Sequence, residues 1–322
     1  MSCTRLLLIL PVILSGLPMG TQAQEYPVKP IRIMLGFPPG GGVDIVARQI
    51  APRLGEQLGQ QIVIDNRPGA SGNIALELLA RAPADGYTLM FTTPTVTINP
   101  ALYPKLAYDT LRDFAPVVLV ATTVYVLVVH PSLPVKSTRE LIALAKAKPR
   151  EILYSSGGNG AAAHLAGELF RSMAGIHMVH VPYKGIAPAL IAALSGEAQL
   201  TFASQPAVLP HVKQGRINAL AVTSAKRSSF TPNLPSIAEA ALPGYETTAW
   251  YGILAPAKTP PAVISRLNRE VARTLEHAEV KSGFANQSFD SIGGTPEQFG
   301  VLIRDELVKW SKVVKDSGMR ID

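Results

Sequence analysis

Short apolar runs alternate with segments whose apolar residues recur every three or four positions along most of this chain. The first pattern predicts buried β-strands and the second predicts amphipathic helices. Continuous apolar strands that alternate with helices indicate parallel sheets covered on both faces. The predicted strands are 31–37, 62–66, 87–92, 117–129, 152–155, 178–182, 199–203, 217–223 and 247–254. The predicted helices are 42–59, 71–81, one that begins at 137, 161–173, 187–195, 208–214, 262–276 and 295–314.

Two series of strand–helix units with a similar rhythm lie on either side of residue 130. The segment 226–244 is rich in Pro and Ser and predicts a loop. If the strand at 247–254 returns to the first sheet, the chain crosses between two domains twice, and two crossing strands make a natural hinge. Three consecutive units are the alternative. The two-crossing interpretation divides the chain into domain 1, residues 24–125 plus 247–322, and domain 2, residues 126–246.

The N-terminal segment has the pattern of a secretory signal peptide over residues 1–23. Arg5 precedes an almost wholly apolar stretch at 6–17, and Thr21-Gln22-Ala23 supplies small residues for cleavage after Ala23. The apolar stretch is shorter than the about 20 residues of a membrane span, although an uncleaved anchor is the alternative. Cys3 is the only cysteine. The mature chain therefore has no thiol, which suits an oxidising compartment such as the periplasm.

Composition narrows the class of partner. Hydrophobic residues make up 47% of the chain and charged residues 16%, which is typical of a compact globular protein. The net charge of +7 is spread along the sequence, and only 6% of residues are aromatic. Nucleic-acid-binding surfaces usually concentrate basic or stacking side chains. We therefore expect no nucleic-acid partner.

Three glycine-rich loops, 37–42, 66–72 and 155–160, each follow a predicted strand and precede a predicted helix. Glycines let successive N–H groups point outward, and the helix dipole adds partial positive charge, so such loops can bind an anion. Tight turns without a ligand are the alternative for any single loop. Asp44 falls in the first turn of its helix, where we expect it to point sideways and brace the glycine loop.

Candidate catalytic and metal-binding groups are sparse. His177 and His180 are three apart in a strand pattern, so they point to opposite faces and cannot chelate one metal together. His164 lies in the first turn of its helix and suits a structural hydrogen bond. Gly158-x-Gly160-x-x-Ala163 loosely matches a dinucleotide fingerprint, but the next strand ends without the carboxylate that would hold a ribose. We expect no catalytic residue, no metal and no cofactor.

Ordered motifs along the mature chain resemble the tripartite tricarboxylate transporter receptors, the TctC or Bug family. The motifs include YPVKPIR at 26–32, FPPGG with Asp44, Ala47 and Arg48 at 37–48, DNRPGA with Gly72 at 65–72, HLAGELF at 164–170, VPYKG at 181–185 and PGYE at 243–246. The resemblance implies a periplasmic binding protein fold: two α/β domains joined by crossing hinge strands, with a ligand cleft between them. It also implies a periplasmic, monomeric receptor that delivers a small carboxylate to the membrane permease subunits of the transporter. A sensory or orphan binding module, or an enzyme on a related fold, is the alternative.

The resemblance places ligand contacts on both domains. They are Phe37, Gly40, Gly41, Gly42, Val43, Ala70, Ser71, Thr93, Thr95, Ser156, Asn159, Gly160, Ala161, Ala162, Lys184 and Ser204. Hydroxyl or carboxylate side chains are usual in the family at four positions that here carry Val43, Ala161, Ala162 and Ala203. Apolar walls favour apolar ligand surface. We therefore expect a monocarboxylate with an aliphatic or aromatic body rather than a densely polar acid.

Overall fold

The structure is a computed structural model that describes residues 26–317. The predicted signal peptide and its cleavage site lie outside the described residues. Within 26–317, none of the helices combines the length and the apolar character needed to cross a membrane.

Strands and helices alternate through most of the described chain. The strands are β1 Ile31–Leu35, β2 Ile62–Asn66, β3 Thr88–Thr92, β4 Phe114–Val129, β5 Leu153–Ser156, β6 Val179–Pro182, β7 Leu200–Ser204, β8 Asn218–Val222, β9 Thr248–Pro256 and β10 Asp290–Ser291. The helices are α1 Gly42–Leu58, α2 Asn73–Ala80, α3 Thr95–Leu102, α4 Thr110–Asp113, α5 Thr138–Ala147, α6 Ala162–Ala174, α7 Ile186–Ser195, α8 Gln205–Lys213, α9 Ile237–Ala240, α10 Pro261–Glu276, α11 Ala278–Asn286 and α12 Pro296–Ser317.

The strands form two sheets that share β4. The first sheet has the order β2-β1-β3-β9-β4, with β10 also paired to β4, and its strands β1, β2 and β3 are parallel. The second sheet has the order β4-β7-β5-β6, with β8 also paired to β4, and its strands β5, β6 and β7 are parallel. Each sheet therefore presents the carboxyl ends of three parallel strands at one edge.

The long strand β4 changes partners along its length. It pairs with β9 up to Val124, and from Tyr125 onward it pairs with β7. Separate hydrophobic clusters pack around its two halves, with Val118 and Ala121 in one and Leu127 and Val129 in another. A run of β-branched residues fits a strand that is buried on both faces, which explains why this segment is uninterrupted.

Strand β9 lies between β3 and β4 and is antiparallel to both. The chain thus returns to the first sheet after completing the second, and the alternative of three consecutive units is wrong. The domain boundaries themselves stay a prediction.

Local differences from the sequence prediction have identifiable causes. Helix α2 begins at Asn73, two residues later than predicted, because Ala70 and Ser71 take left-handed backbone angles with φ of 46° and 53°. The segment 226–244, predicted as a loop, contains the short helix α9, which Ser236 caps by accepting from the Glu239 N–H at 3.0 Å. Helices α3, α4 and α11 and strand β10 were not predicted.

The last helix, α12, contacts elements of both sheets. It packs against α3 beside the first sheet and against α6 beside the second. A cluster of buried apolar side chains joins the three helices: Ile98 and Leu102 from α3, Leu165 from α6, and Trp310 and Val314 from α12.

Candidate functional site

Loops at the carboxyl ends of the parallel strands of both sheets meet at one place, which we call the cleft. Residues 36–41 lead from β1 into α1, residues 67–72 lead from β2 into α2, and residues 157–161 lead from β5 into α6. The Ser71 hydroxyl donates to the Asn159 carbonyl oxygen at 3.0 Å, which joins a loop of the first sheet to a loop of the second. In open α/β sheets this edge is where ligands bind.

Asp44 braces the glycine loop at the N-terminus of α1, as predicted. Its carboxylate accepts from the Gly40 N–H at 3.0 Å, from Arg48 Nε at 3.0 Å and from Asn66 Nδ2 at 3.2 Å. Burial acts to raise the pKa of Asp44, but the hydrogen bonds from Arg48, Gly40 and Asn66 outweigh it and lower the pKa below the usual value. The ionised carboxylate therefore points into the loop rather than toward the cleft.

His164 plays the corresponding part at the N-terminus of α6. Its Nδ1 accepts from the Gly160 N–H at 3.0 Å, again four residues back along the chain. Its ring stacks on His180 with centroids 3.9 Å apart. Burial, with a smaller contribution from the Arg171 charge, lowers the pKa of His164 to about 4. The imidazole is thus neutral near pH 7, which it must be for Nδ1 to accept a hydrogen bond.

These braces change which backbone groups can bind an anion. The N–H groups of Gly40 and Gly160 are already satisfied by Asp44 and His164, so neither is a free donor, contrary to expectation. Within residues 26–317, no acceptor meets the N–H groups of residues 42–44 in α1 or of residues 162–164 in α6. These are the first turns of the two helices, where unpaired N–H groups and the positive end of the dipole coincide.

The Ala70–Ser71 turn is held from the side of the first sheet. Asn99 Nδ2 donates to the Ser71 carbonyl oxygen at 3.1 Å. The hydroxyls of Thr93 and Thr95 hydrogen-bond to each other at 2.9 Å. A Cβ at Gly72 would lie 3.6 Å from both the Phe37 ring and Thr95 Oγ1, so these predicted residues lie around one glycine.

Three predicted residues of the second sheet follow its parallel strands. Ser156 ends β5, Lys184 follows β6 and is exposed, and Ser204 ends β7 and precedes α8. Ser156 is fully buried, and its Oγ lies 2.6 Å from His180 Nε2 and accepts from the Gly158 N–H at 3.2 Å. The Ser156–His180 pair therefore shapes the glycine loop from within, rather than presenting a nucleophile to the cleft.

Two of the residues expected to make the cleft apolar do not line it. Val43 is 3% exposed and belongs to the core of the first sheet, and Ala203 is 0% exposed within a core of the second. Val43 can offer only its backbone, and Ala203 offers nothing to a ligand. Ala161 and Ala162 are half-buried at the start of α6, so only these two support the argument for an apolar wall.

Sequence reasoning missed two tyrosines on the crossing strands. A Cβ at Gly42 would lie 2.3 Å from the Tyr251 hydroxyl, so the end of this side chain touches the first turn of α1. Tyr125 packs against the cores of both sheets. No motif marked these residues, because their positions depend on how β4 and β9 cross beneath the loops.

Titratable side chains are also candidate metal ligands over the part of the chain that the structure describes. Among residues 26–317, no group of three or more His, Cys, Asp or Glu side chains could hold an ion.

A family model, a relative in sequence and two solved structures are similar to this chain over most of its length. A family model described as "Tripartite tricarboxylate transporter family receptor" matches residues 46–319. Protein BugT of Bordetella pertussis is 36% identical over 325 residues, covering 100% of each chain. The structure "R. palustris Rpa4515 with adipate" is 39% identical with a TM-score of 0.86, covering 92% of this chain and 100% of that one. MatC (Rpa3494) from Rhodopseudomonas palustris with bound malate is 28% identical with a TM-score of 0.82, covering 90% and 100%.

The structural likeness confirms the predicted fold class. The matched structures are two-domain periplasmic solute-binding proteins, and the same mixture of helices and parallel strands is present here.

Proposed function

Because this chain belongs to the tripartite tricarboxylate transporter receptor family, we propose that it captures a small organic carboxylate in the cleft and delivers it to a membrane permease. The observation that carries the proposal is the placement of two unpaired helix N-termini, of α1 and of α6, at loops that touch through Ser71 and Asn159. The free N–H groups at the positive ends of two helix dipoles can together bind an anion without a basic side chain.

The ligand contacts that we propose follow from this geometry. The anion would bind to the N–H groups of residues 42–44 and 162–164, with Phe37, the Ala70–Ser71 turn and Thr95 on one side. Half-buried Ala161 and Ala162 on the other side favour an aliphatic ligand body. Adipate in the relative Rpa4515 has such a body, whereas malate in the more distant MatC is the polar alternative.

We propose that the protein is periplasmic and catalyses no reaction. The N-terminal pattern of an apolar run before Ala23 supports export. Receptor function, as in the family, needs binding and release only, and the buried Ser156–His180 pair is engaged inside its own loop. Docking of permease subunits is part of the same proposal and rests on the family name.

The domain division is proposed as residues 24–125 plus 247–322 and residues 126–246. The change of β4 partners between Val124 and Tyr125 supports the first boundary. The Thr247 N–H donates to the Thr223 carbonyl oxygen just before β9 begins, which supports the second. Rotation about these two segments would open and close the cleft.

A calorimetric panel tests the proposal. Adipate, hexanoate, benzoate and malate are titrated into purified mature protein, each beside its uncharged amide. At least one acid should bind, and its amide should lose most of the affinity, because the amide N–H2 meets N–H donors. An amide that binds as tightly as its acid would refute the anion site. Malate binding more tightly than every aliphatic and aromatic acid would refute the expected ligand body.

A further inference from the structure

The Tyr251 side chain is fixed beneath the N-terminus of α1. Tyr251 is only 5% exposed, and its ring packs edge-on against Phe289 with centroids 5.6 Å apart. A Cβ at Gly42 would lie 2.3 Å from its hydroxyl oxygen and 3.0 Å from Cζ, so only a glycine leaves room for the phenol at this place. The hydroxyl is therefore held against the backbone of the first turn, next to the N–H groups that lack acceptors.

The Tyr251 side chain is nine-tenths buried, but its hydroxyl oxygen is not enclosed, and it makes no hydrogen bond to another group within residues 26–317. Two other buried tyrosine hydroxyls are matched within the described residues: Tyr154 donates to Glu168 at 2.6 Å, and Tyr245 donates to the Ala166 carbonyl oxygen at 2.9 Å. A hydroxyl that is fixed at the wall of the cleft, and that has no partner within the described residues, is available to donate to a bound ligand.

We infer that the Tyr251 hydroxyl binds the ligand: it donates a hydrogen bond to the carboxylate held at the N-terminus of α1. The inference rests on the proposed function, since it assumes that a carboxylate occupies this end of the cleft. The phenol and the N–H groups of residues 42–44 then converge on one anionic group. A carboxylate has enough lone pairs to accept from all of them.

The ionisation state of the phenol agrees with this role. Burial, with a smaller contribution from nearby Tyr125, raises the pKa of Tyr251 well above its usual value. The side chain is therefore a neutral O–H donor at the pH of any cell compartment, and it does not repel an anion.

Tyr251 would then determine specificity as well as affinity. The N–H groups of residues 42–44 and the Tyr251 hydroxyl all offer hydrogens, so a bound group satisfies all of them together only as an acceptor. A carboxylate meets this condition, whereas a primary amide turns an N–H2 toward the donors. Removing the hydroxyl should thus weaken acids more than amides.

The test compares wild type with Tyr251→Phe by calorimetry, using adipate, hexanoate, benzoate and their amides. Phenylalanine keeps the ring packing on Phe289 and Gly42, so the variant should fold. Loss of a hydrogen bond to a charged group should weaken the binding of each acid by about 10- to 100-fold. Amide binding should change little, so the preference for acid over amide should fall. Tyr87→Phe is the matched control, because Tyr87 precedes β3 at the opposite edge of the sheet.

The outcomes separate this inference from the proposed function. Wild-type affinity for the acids in Tyr251→Phe overturns the inference and leaves the proposed function standing. A lower melting temperature with an unchanged ratio of acid to amide affinity assigns Tyr251 a structural role only, and also overturns it. Absence of acid binding by the wild type defeats the proposed function and this inference together.

Discussion

Acid should destabilise this protein through two stacked imidazoles whose pKa values burial lowers, those of His164 and His180, and His164 is the one that braces the cleft. The folded structure holds His164 neutral, because burial lowers its pKa from the usual 6.5 to about 4. In the unfolded chain the same side chain takes up a proton near pH 6.5. Between these two values the unfolded state binds one proton more than the folded state, so the free energy of unfolding rises with pH in this window. Above pH 6.5 the contribution of His164 to the pH dependence disappears.

The size of the effect follows from the pKa shift. A shift of this magnitude corresponds to about 3 kcal/mol of stability lost between pH 6.5 and pH 4. The loss has a structural counterpart, because a protonated Nδ1 cannot accept from the Gly160 N–H. The loop before α6 should therefore loosen, and carboxylate affinity should fall, before the whole chain unfolds.

Urea unfolding of the mature protein at half-unit steps from pH 7.5 to 4.5 measures this dependence. His164→Asn is the informative variant, because Asn Oδ1 can take the place of Nδ1 as an acceptor but does not titrate. Its absolute stability should be lower, since the stacking on His180 is lost, but its pH dependence should be shallower than that of wild type. His177→Asn is the control, since His177 is an exposed histidine outside the stacked pair.

Binding of one acid by the same variants provides a second measurement. The ratio of wild-type to His164→Asn affinity cancels the titration of the ligand and of Asp44, and it should fall as the pH drops toward 4.5. If the unfolding free energies of wild type and His164→Asn change equally with pH, and the affinity ratio stays constant, the claim that a neutral His164 braces the loop before α6 is wrong.

Three further predictions concern other parts of the chain. Gly42→Ala should abolish acid binding and lower the free energy of unfolding by about 1–3 kcal/mol, because the new Cβ would lie 2.3 Å from the Tyr251 hydroxyl. Calorimetry measures the loss of binding, and thermal melts measure the loss of stability. Ser71→Ala should weaken acid binding by about 2- to 10-fold, since the bond to Asn159 joins the two sides of the cleft. The ligand-free unfolding free energy should change little, because this bond is exposed to solvent, and an equal loss of ligand-free stability would contradict the prediction. N-terminal sequencing of exported protein should begin at Gln24, and a start at Met1 would contradict cleavage after Ala23.

The sequence was most informative for features that depend on residues close together in the chain, such as helix N-termini and the side chains of their first turns. Glycine-rich loops after apolar strands located both helix N-termini, and an acid in the first helical turn was enough to predict the Asp44 brace. For His164 the sequence predicted a structural hydrogen bond but did not identify the partner. Its partner, the Gly160 N–H, depends on the turn that Gly158 and Gly160 make with positive φ, which the sequence permits but does not specify.

Side-chain direction across sheets was beyond sequence reasoning. Ala203 was expected at the cleft because the resembled family usually carries a carboxylate at this position, but the pairing of β7 with β4 turns Ala203 into the core. Tyr251 was not predicted as a site residue, because the sequence of its strand is typical of a uniformly buried strand. Only the antiparallel crossing of β9 brings the Tyr251 hydroxyl under α1. Both residues depend on long-range strand register, which periodicity along one strand cannot supply.

The packing of α12 across both sheets gives this protein an intrinsic optical reporter. Trp310 lies in the apolar cluster that Leu165 joins from α6, and Leu165 directly follows the brace residue His164. The chain has only two tryptophans, and the second, Trp250, adjoins Tyr251 on a crossing strand. A rotation of α6 against α12 changes the surroundings of Trp310, and indole emission responds to such changes. Capture of a colourless acid can therefore be followed by fluorescence in unlabelled protein, with Trp310→Phe identifying which indole responds.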